Sequence, residues 1–144
     1  MQVQQILKSK GIDSVYTVKP GTKVADAAKI LAEKRIGTVV ISSDGVVAEG
    51  ILSERDIVRV LASNGAGCLS DAVDDYMTKK LVTCARGDNA DEILSKMTEG
   101  RFRHMPVVED GKMVGLITLG DVVKAKLSEL AMEKTALEGM IMGH

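Results

Sequence analysis

The sequence repeats itself at a spacing of 66 residues. Five matches define the repeat: Thr17 with Thr83, Gly21 with Gly87, Glu33 with Glu99, Arg35 with Arg101, and Asp44-Gly45 with Asp110-Gly111. After one extra residue in the first half the spacing becomes 65, and Gly50, Asp56 and Val58 recur as Gly115, Asp121 and Val123. An internal repeat indicates similar structural units that bury their apolar faces against each other, so the chain is expected to fold as two matched halves.

Each half predicts the order strand, helix, strand, strand, helix. The first strands are expected at 15–18 and 81–84, and each is followed by an amphipathic helix with Thr22 or Asp88 as its N-cap. The next two strands are joined at Asp-Gly, a dipeptide typical of tight hairpins because it tolerates positive φ. These strands are predicted at 38–41 and 46–52, and at 105–108 and 113–118. The apolar helix positions are Val24, Ala27, Ala28, Leu31, Ile57, Val58 and Leu61, then Ala90, Ile93, Leu94, Met97, Val122, Val123 and Leu127.

A half of about 48 residues buries too little apolar surface to be stable alone, so the two halves should share a core. The predicted fold class is α+β: two β-α-β-β-α repeats related by pseudo-two-fold symmetry, with small mixed sheets packed face to face and helices outside. We divide the chain into a first repeat with an N-terminal helix (1–62), a linker (63–72), a second repeat (73–127) and a C-terminal helical extension (128–144). A short helical stretch at 71–77 precedes the second repeat, and residues 3–10 are its N-terminal counterpart.

The last helix continues beyond the repeat with apolar residues at a three-four spacing. They are Val123, Leu127, Leu130, Leu137 and Ile141, with Lys134 as an interruption. This stripe either packs on its own repeat or faces a partner, which makes a homodimer an expectation.

Composition excludes several classes of protein. Nineteen basic and twenty acidic residues give a net charge of −1, and there is no Trp and only one Phe, so neither a polycationic nor a base-stacking nucleic-acid surface is expected. No apolar stretch is long enough for a signal peptide or a membrane span. Cys68 and Cys84 form no CxxC pair and indicate a reducing compartment, by default the cytoplasm. His104 is the only histidine besides His144, so no histidine-built metal site is predicted.

In both halves a strand runs into a helix through a hydroxyl-x-x-carboxylate step. Ser53 precedes Asp56 in the first half, and Thr118 precedes Asp121 in the second. On one interpretation this spacing is only a helix-capping pattern, with no function beyond capping. The same geometry suits a nucleotide, because a helix N-terminus and a hydroxyl can hold phosphate while a carboxylate accepts two hydrogen bonds from a ribose diol. The base would then lie between apolar strands, with backbone groups near 17–18 and 83–84 at its edge.

Arg103 and His104 stand together at the start of a strand in the second half. A guanidinium suits phosphate through paired donors, although both side chains could equally be solvated. The aligned residues of the first half are the uncharged Gly37 and Thr38, so the two sites should be unequal, with Arg55 as a partial substitute in the first half. Pro106 marks a place where no ladder donor is needed.

Together these motifs resemble a tandem pair of cystathionine-β-synthase (CBS) domains, known as a Bateman module. The resemblance covers residues 1–127 and rests on the two hydroxyl-x-x-Asp steps, on Arg103-His104-Met105-Pro106-Val107-Val108, and on Asp75-Tyr76-Met77-Thr78. It implies two clefts for adenosine-type ligands: AMP as the first expectation, and ADP, ATP, NAD or S-adenosylmethionine. The first half departs from the pattern, because Val40 stands where the second half has Pro106. The predicted nucleotide-binding residues are Thr17, Val18, Gly37, Thr38, Ser53, Arg55, Asp56, Thr83, Arg103, His104, Met105, Pro106, Thr118, Gly120 and Asp121.

Three function classes were weighed against these motifs. An enzyme is disfavoured, because the chain has no GxxxxGK[ST] loop, no GxSxG elbow and no evident catalytic set, so no catalytic cofactor is expected. A non-catalytic interaction or dimerisation module would use the repeat as a scaffold and both aspartates as caps. The preferred hypothesis is a ligand sensor, in which a nucleotide bound between the halves favours one arrangement and signals to an effector protein or within a homodimer.

Overall fold

A computed structural model describes residues 1–10 and 15–141. The helices are α1 (Val3–Ser9), α2 (Val24–Lys34), α3 (Glu54–Asn64), α4 (Ala90–Gly100) and α5 (Leu119–Ile141), and the strands are β1 (Thr17–Val18), β2 (Thr38–Ile41), β3 (Gly50–Ser53), β4 (His104–Glu109) and β5 (Lys112–Thr118). Two short 3₁₀ segments, Ala66–Ser70 and Val73–Asp75, join the two halves. This α+β arrangement of two repeats with small sheets is the predicted fold class.

The first repeat is built on a three-stranded mixed sheet. β1 pairs with β2 in parallel, and β2 pairs with β3 antiparallel, so that Val18 lies opposite Ile41 and Ile41 opposite Gly50. Val39, Ile41 and Leu52 are fully buried and pack against the apolar face of α2. Burial of this face explains why the amphipathic pattern of α2 is visible in the sequence.

The second repeat has a complete hairpin but lacks a full first strand. Asp110 and Gly111 both have positive φ and form the tight turn between β4 and β5, as predicted. The predicted strand at 81–84 is wrong, because only Cys84 makes a bridge, to Val107. In the first repeat the Val40 N–H donates to the Tyr16 carbonyl at 3.0 Å. Pro106 stands at the equivalent position and has no N–H, so that hydrogen bond cannot form.

The first hairpin is looser than predicted. β3 begins at Gly50 rather than at residue 46, because residues 42–49 form an irregular loop after the one-residue insertion. One oxygen of the Asp44 carboxylate accepts hydrogen bonds from the Val46 and Val47 N–H groups at 2.8 and 3.0 Å. These backbone donors lower the pKa of Asp44, which identifies it as the organiser of the loop.

Both predicted N-caps are displaced by one residue. α2 is capped by Lys23 without a side-chain bond, and the Thr22 hydroxyl instead donates to the Lys19 carbonyl. α4 is capped by Asn89, whose side chain accepts from the Asp91 N–H, while Asp88 accepts from the Ala85 N–H. Asp88 therefore stabilises the turn before the helix rather than the helix itself.

Each repeat is completed by the segment that precedes the other repeat. Val3 and Ile6 of α1 are buried in the core of the second repeat, although α1 was grouped with the first repeat. Val73 is buried in the core of the first repeat, and the predicted helix at 71–77 is only the 3₁₀ turn Val73–Asp75. The backbone bonds match: Val3 N donates to Asp88 O at 2.9 Å, and Val73 N to Thr22 O at 2.8 Å.

The two repeats also contact each other directly through a small apolar cluster. Val40, Ile51 and Leu116 are buried together, and Leu81 and Met113 pack against them. The Met113 N–H donates to the Val46 carbonyl at 2.8 Å, which ties the two hairpins together. The space between the repeats is therefore closed on one side.

The C-terminal stripe does not pack on its own repeat within the part of the chain that the structure describes. Val122 and Ala125 of α5 are buried, but the exposed fraction is 63% for Leu127, 56% for Leu130 and 57% for Leu137. Val58 of α3 is likewise exposed rather than buried, so its place among the predicted core positions is wrong. Packing of the stripe on its own repeat, one of the two alternatives, is therefore excluded for the isolated chain.

Gly50→Ala should destabilise the protein, because an added Cβ would lie 2.8 Å from Cγ of Met77. We expect the free energy of unfolding to fall by about 1–3 kcal/mol, as in other overpacked cores. Gly67→Ala is the matched control, since nothing lies within 4 Å of its Cβ position. Urea denaturation measures the free energy of unfolding of both variants. Equal stability of the two would show that the contact of Met77 with Gly50 does not restrict the side chain at this position.

Candidate functional site

The two hydroxyl-x-x-carboxylate corners have the same geometry. At the first corner the Ser53 N–H donates to Asp56 Oδ2 at 2.9 Å, and the Asp56 N–H donates to Ser53 Oγ at 3.1 Å. Thr118 and Asp121 form the same pair of bonds at the same distances. Both corners are thus complete capping boxes. A carboxylate has about four acceptor positions, so capping alone leaves room for a ligand.

The start of α3 has fewer free donors than an open helix terminus. Its first N–H, that of Glu54, donates to the Gly37 carbonyl at 2.9 Å, and its third, that of Asp56, is taken by Ser53. The N-terminus of α3 therefore offers an anion fewer free N–H donors than the sequence analysis assumed. Side-chain cations must supply the larger share of any phosphate binding here.

A large cavity lies between the two repeats and has a volume of about 980 Å³. The first repeat contributes Ser53 and Asp56, and the second contributes Arg103 and His104. The complete lining is Gly37, Ile51, Ser53, Glu54, Arg55, Asp56, Arg59, Thr78, Lys80, Leu81, Val82, Gly100, Arg101, Phe102, Arg103, His104, Thr118, Leu119, Gly120, Val123, Lys124 and Leu127. Its size lies at the upper end of the range for small-molecule pockets.

A second, smaller cavity of about 210 Å³ has the roles of the repeats reversed. Thr118 now comes from the second repeat, and the strand-start residues Gly37 and Thr38 come from the first. The other lining residues are Lys10, Val15, Tyr16, Ile36, His104 and Leu116. The two cavities are therefore related by the pseudo-symmetry of the repeat, and Gly37, His104 and Thr118 border both.

This arrangement corrects the pairing that the aligned halves suggest. The alignment places Arg103 in the repeat of the Thr118–Asp121 corner, and the uncharged Gly37 and Thr38 in the repeat of the Ser53–Asp56 corner. In the structure Arg103 lines the large cavity beside Ser53 and Asp56, whereas Thr38 lines the small cavity beside Thr118. The first corner is therefore the one with more charge. In the hairpins Thr38 pairs with Ser53 and His104 with Thr118, so each strand start also adjoins the corner of its own repeat.

The large cavity is electropositive. Two acidic side chains, Glu54 and Asp56, face six cationic ones, which are Arg55, Arg59, Lys80, Arg101, Arg103 and Lys124. His104 adds no charge at neutral pH, because burial lowers its pKa more than Asp121 and Asp56 raise it. A neutral imidazole at this position donates and accepts hydrogen bonds instead.

Several predicted site residues lie elsewhere. Val18 and Met105 are buried in the two cores, Pro106 is buried in β4, and Thr17 and Thr83 are exposed; none of these five lines either cavity. Asp121 is not a lining residue either, because its carboxylate is paired with Lys10. Gly37, Thr38, Ser53, Arg55, Asp56, Arg103, His104, Thr118 and Gly120 do line one or both cavities.

Sequence reasoning missed the cations and apolar residues that complete the large cavity. Lys80 follows the Val73–Met77 segment, which precedes the second repeat, as Lys10 follows α1, which precedes the first. An alignment of these two segments would have identified both lysines. Phe102 aligns with Ile36, and each borders its cavity just before a strand. Arg59 and Lys124 carry no such signal, because only the packing of α3 and α5 brings them to the cavity.

No group of three or more His, Cys, Asp or Glu side chains that could hold a metal occurs in ranges 1–10 and 15–141. Within the same ranges no helix is long and apolar enough to cross a membrane. Cys68 and Cys84 are free and buried, and burial raises the pKa of the Cys84 thiol to about 11.

Comparisons with known proteins agree with this architecture. The closely similar crystal structure of a CBS-domain-containing protein from Agrobacterium tumefaciens has a TM-score of 0.82 and 42% identity, and covers 88% of this chain and 99% of that one. CBSX3, a mitochondrial CBS domain-containing protein of Arabidopsis thaliana, is 32% identical over 98% of this chain and 72% of its own length. The chain spans only about a quarter of some longer plant relatives.

Two further structural neighbours contain adenosine compounds. The CBS domain pair of protein MJ0100, with 25% identity and a TM-score of 0.77 over 90% of this chain and 98% of that one, is in complex with 5′-methylthioadenosine and S-adenosylmethionine. A CBS domain protein of Pyrobaculum aerophilum, with 24% identity and a TM-score of 0.76 over 92% and 99% of the two chains, is complexed with AMP. No enzyme family is indicated. The CBS domain family matches residues 7–63 and 73–128, and this chain belongs to it as a tandem pair.

Proposed function

We propose that the chain is a regulatory module that binds an adenosine nucleotide in the large cavity between its repeats. The proposal rests on one observation: the Ser53–Asp56 corner and Arg103 line the same cavity, which has a volume of about 980 Å³. A carboxylate that can hold a diol and a guanidinium that can hold a phosphate stand on opposite repeats. The adenosine compounds in two structural neighbours support the same ligand class.

Each part of the nucleotide has a matching group. Asp56 would accept the ribose hydroxyls, because among the described residues the cation next to its Oδ1 is Arg59, at the long distance of 3.7 Å. Ser53 and Arg103 would contact the phosphate. The base would lie on the apolar wall that includes Ile51, Leu81 and Phe102. The strand residues Thr17, Val18, Thr83, Met105 and Pro106 would at most act through their backbone.

The charge of the cavity narrows the ligand class. Six cationic side chains against two acidic ones favour AMP, ADP, ATP or NAD over the sulfonium cation of S-adenosylmethionine. AMP remains the first expectation for a single diol and phosphate site. The size of the cavity also accommodates ligands with more phosphates.

Binding across the two repeats would provide a signal. A ligand that contacts both repeats favours the arrangement in which both sets of contacts form, and this differential affinity is what an effector protein could sense. No step of this mechanism requires catalysis. A cytoplasmic location remains a prediction, supported by the two buried free thiols.

A homodimer is the second part of the proposal, with a second copy of α5 as the occupant of the exposed stripe. Val123, Leu127, Leu130, Lys134, Leu137 and Ile141 alternate by four and three residues, the spacing of a helix that packs along another helix. A stripe of this kind is complementary to itself across a two-fold axis. Val123 and Leu127 also line the large cavity, which would couple dimer geometry to ligand binding.

A pure interaction module is the alternative. Both aspartates already form complete capping boxes, so their position needs no ligand. A calorimetric titration with AMP, ATP and NAD separates the two functions, since only the sensor releases or absorbs heat. A thermal shift on addition of these ligands would give the same answer.

Asp56→Asn should weaken AMP binding about 10- to 100-fold, corresponding to the roughly 1.5–3 kcal/mol of a hydrogen bond to a charged group. The asparagine oxygen can still accept from the Ser53 N–H, so the cap and the melting temperature should be retained. Asp26→Asn is the matched control, because Asp26 is an exposed acid in the first turn of α2. If Asp56→Asn loses stability but binds normally, Asp56 is only a cap.

Arg103→Ala should separate phosphate recognition from nucleoside recognition. We expect AMP to bind about tenfold or more weakly and adenosine to be nearly unaffected, because a guanidinium–phosphate pair contributes about 1.5–3 kcal/mol. Arg86→Ala, at an exposed residue outside both cavities, is the control. Equal losses for AMP and adenosine in a calorimetric titration would contradict a phosphate role.

Leu130→Lys should convert a dimer into a 15.3 kDa monomer, because it places a second cation next to Lys134 in the apolar stripe. Met132→Lys is the control, since Met132 is exposed but lies roughly 200° around the helix from Leu130. Sedimentation equilibrium measures both variants. A wild-type protein that is monomeric at working concentration would exclude this part of the proposal.

A further inference from the structure

Lys10 pairs with the carboxylate of the second corner, Thr118–Asp121. Its Nζ lies 2.9 Å from Asp121 Oδ2 and also donates to the Leu116 carbonyl at 2.9 Å. The exposed fractions are only 22% for the Lys10 side chain and 21% for that of Asp121, so water screens this pair less than it screens a surface pair. Asp121 Oδ2 also accepts from the Thr118 N–H. The same capping bond occupies Oδ2 of Asp56, so what distinguishes Asp121 is the ammonium group of Lys10 on that oxygen.

The first corner, Ser53–Asp56, has a longer ion-pair distance and a more exposed cation. The cation paired with Asp56 is Arg59, at 3.7 Å, and its side chain is 76% exposed. Lys80, which follows Met77 as Lys10 follows Leu7, is exposed and lines the large cavity. The two preceding segments thus place equivalent lysines differently, one on a carboxylate and one at the edge of an open space.

The cavities at the two corners also differ in volume. The cavity beside Lys10 measures about 210 Å³, below the roughly 300 Å³ at which pockets for drug-sized ligands begin. The position equivalent to Arg103 is Gly37, so this cavity also lacks a guanidinium for phosphate. Lys10 lines this cavity and neutralises the acid.

We propose that Lys10 occupies the Thr118–Asp121 corner and blocks it, so that each chain binds one adenosine nucleotide rather than two. This inference rests on the proposed function but concerns the other corner. It assigns to Lys10 the role of an internal competitor: a ribose diol can bind Asp121 only after the ammonium group has left. The pseudo-symmetric pair of corners is thereby reduced to one working site.

The test is the number of AMP molecules bound per chain, measured by isothermal titration calorimetry and equilibrium dialysis. We expect one for the wild type and two for Lys10→Ala, with Lys8→Ala, at an exposed lysine on α1, remaining at one. The double variant Lys10→Ala/Asp121→Asn should return to one, which locates the new site at Asp121. Melting temperatures confirm that each variant is folded.

The other outcomes are also decisive. Two molecules bound by the wild type, or one bound by both the wild type and a folded Lys10→Ala, would overturn the role of Lys10. A second site that exists in the wild type and is lost in Lys10→Ala would make Lys10 a ligand contact instead. No binding to the wild type but one molecule bound by Lys10→Ala would refute the proposed site at Asp56 and retain this inference. No binding to any variant would overturn both.

Discussion

The exchange of preceding segments between the two repeats is the contact on which the rest of the structure depends. Val3 and Ile6 fill the core of the second repeat, and Val73 fills that of the first. The glycines on β3 and β5 allow this exchange, because Met77 lies over Gly50 and Leu7 over Gly115 at distances that leave no space for a Cβ atom. Neither half can complete its core without the other. The repeats therefore pack face to face, and a cavity between them is a geometric consequence.

The corners show how one local motif can have both a structural and a binding role. Asp56 and Asp121 form identical capping boxes, so the helix starts are stabilised whether or not a ligand is present. What distinguishes the corners is the chain that lies next to them. Arg103 and Lys80 face the first, whereas Lys10 is bonded to the second. A duplicated sequence motif therefore does not imply a duplicated site, because the residues that surround each copy differ in charge or in placement.

A single proline has a comparable effect on the sheets. Val40 donates to the Tyr16 carbonyl, and the first repeat has a three-stranded sheet. Pro106 cannot donate, and the second repeat retains only the bridge at Cys84. Leu81 and Val82 line the large cavity, as the equivalent Val15 and Tyr16 line the small one. The departure from perfect repetition therefore changes the sheet of the second repeat but not the part of this segment that borders a cavity.

Local patterns in the sequence were sufficient for the helices of the repeats, the Asp110-Gly111 turn and both hydroxyl-x-x-Asp corners. Each of these depends on residues within about four positions along the chain, through side-chain periodicity, turn conformation or capping. The partners of Asp56 and Asp121 could not be found in this way. Arg103 is 47 positions from Asp56, and Lys10 is 111 positions from Asp121, and only the face-to-face packing of the repeats brings them together. The same holds for the stripe on α5, whose apolar period was visible in the sequence. Its exposure was decided by how far the helix extends beyond the repeat on which it packs.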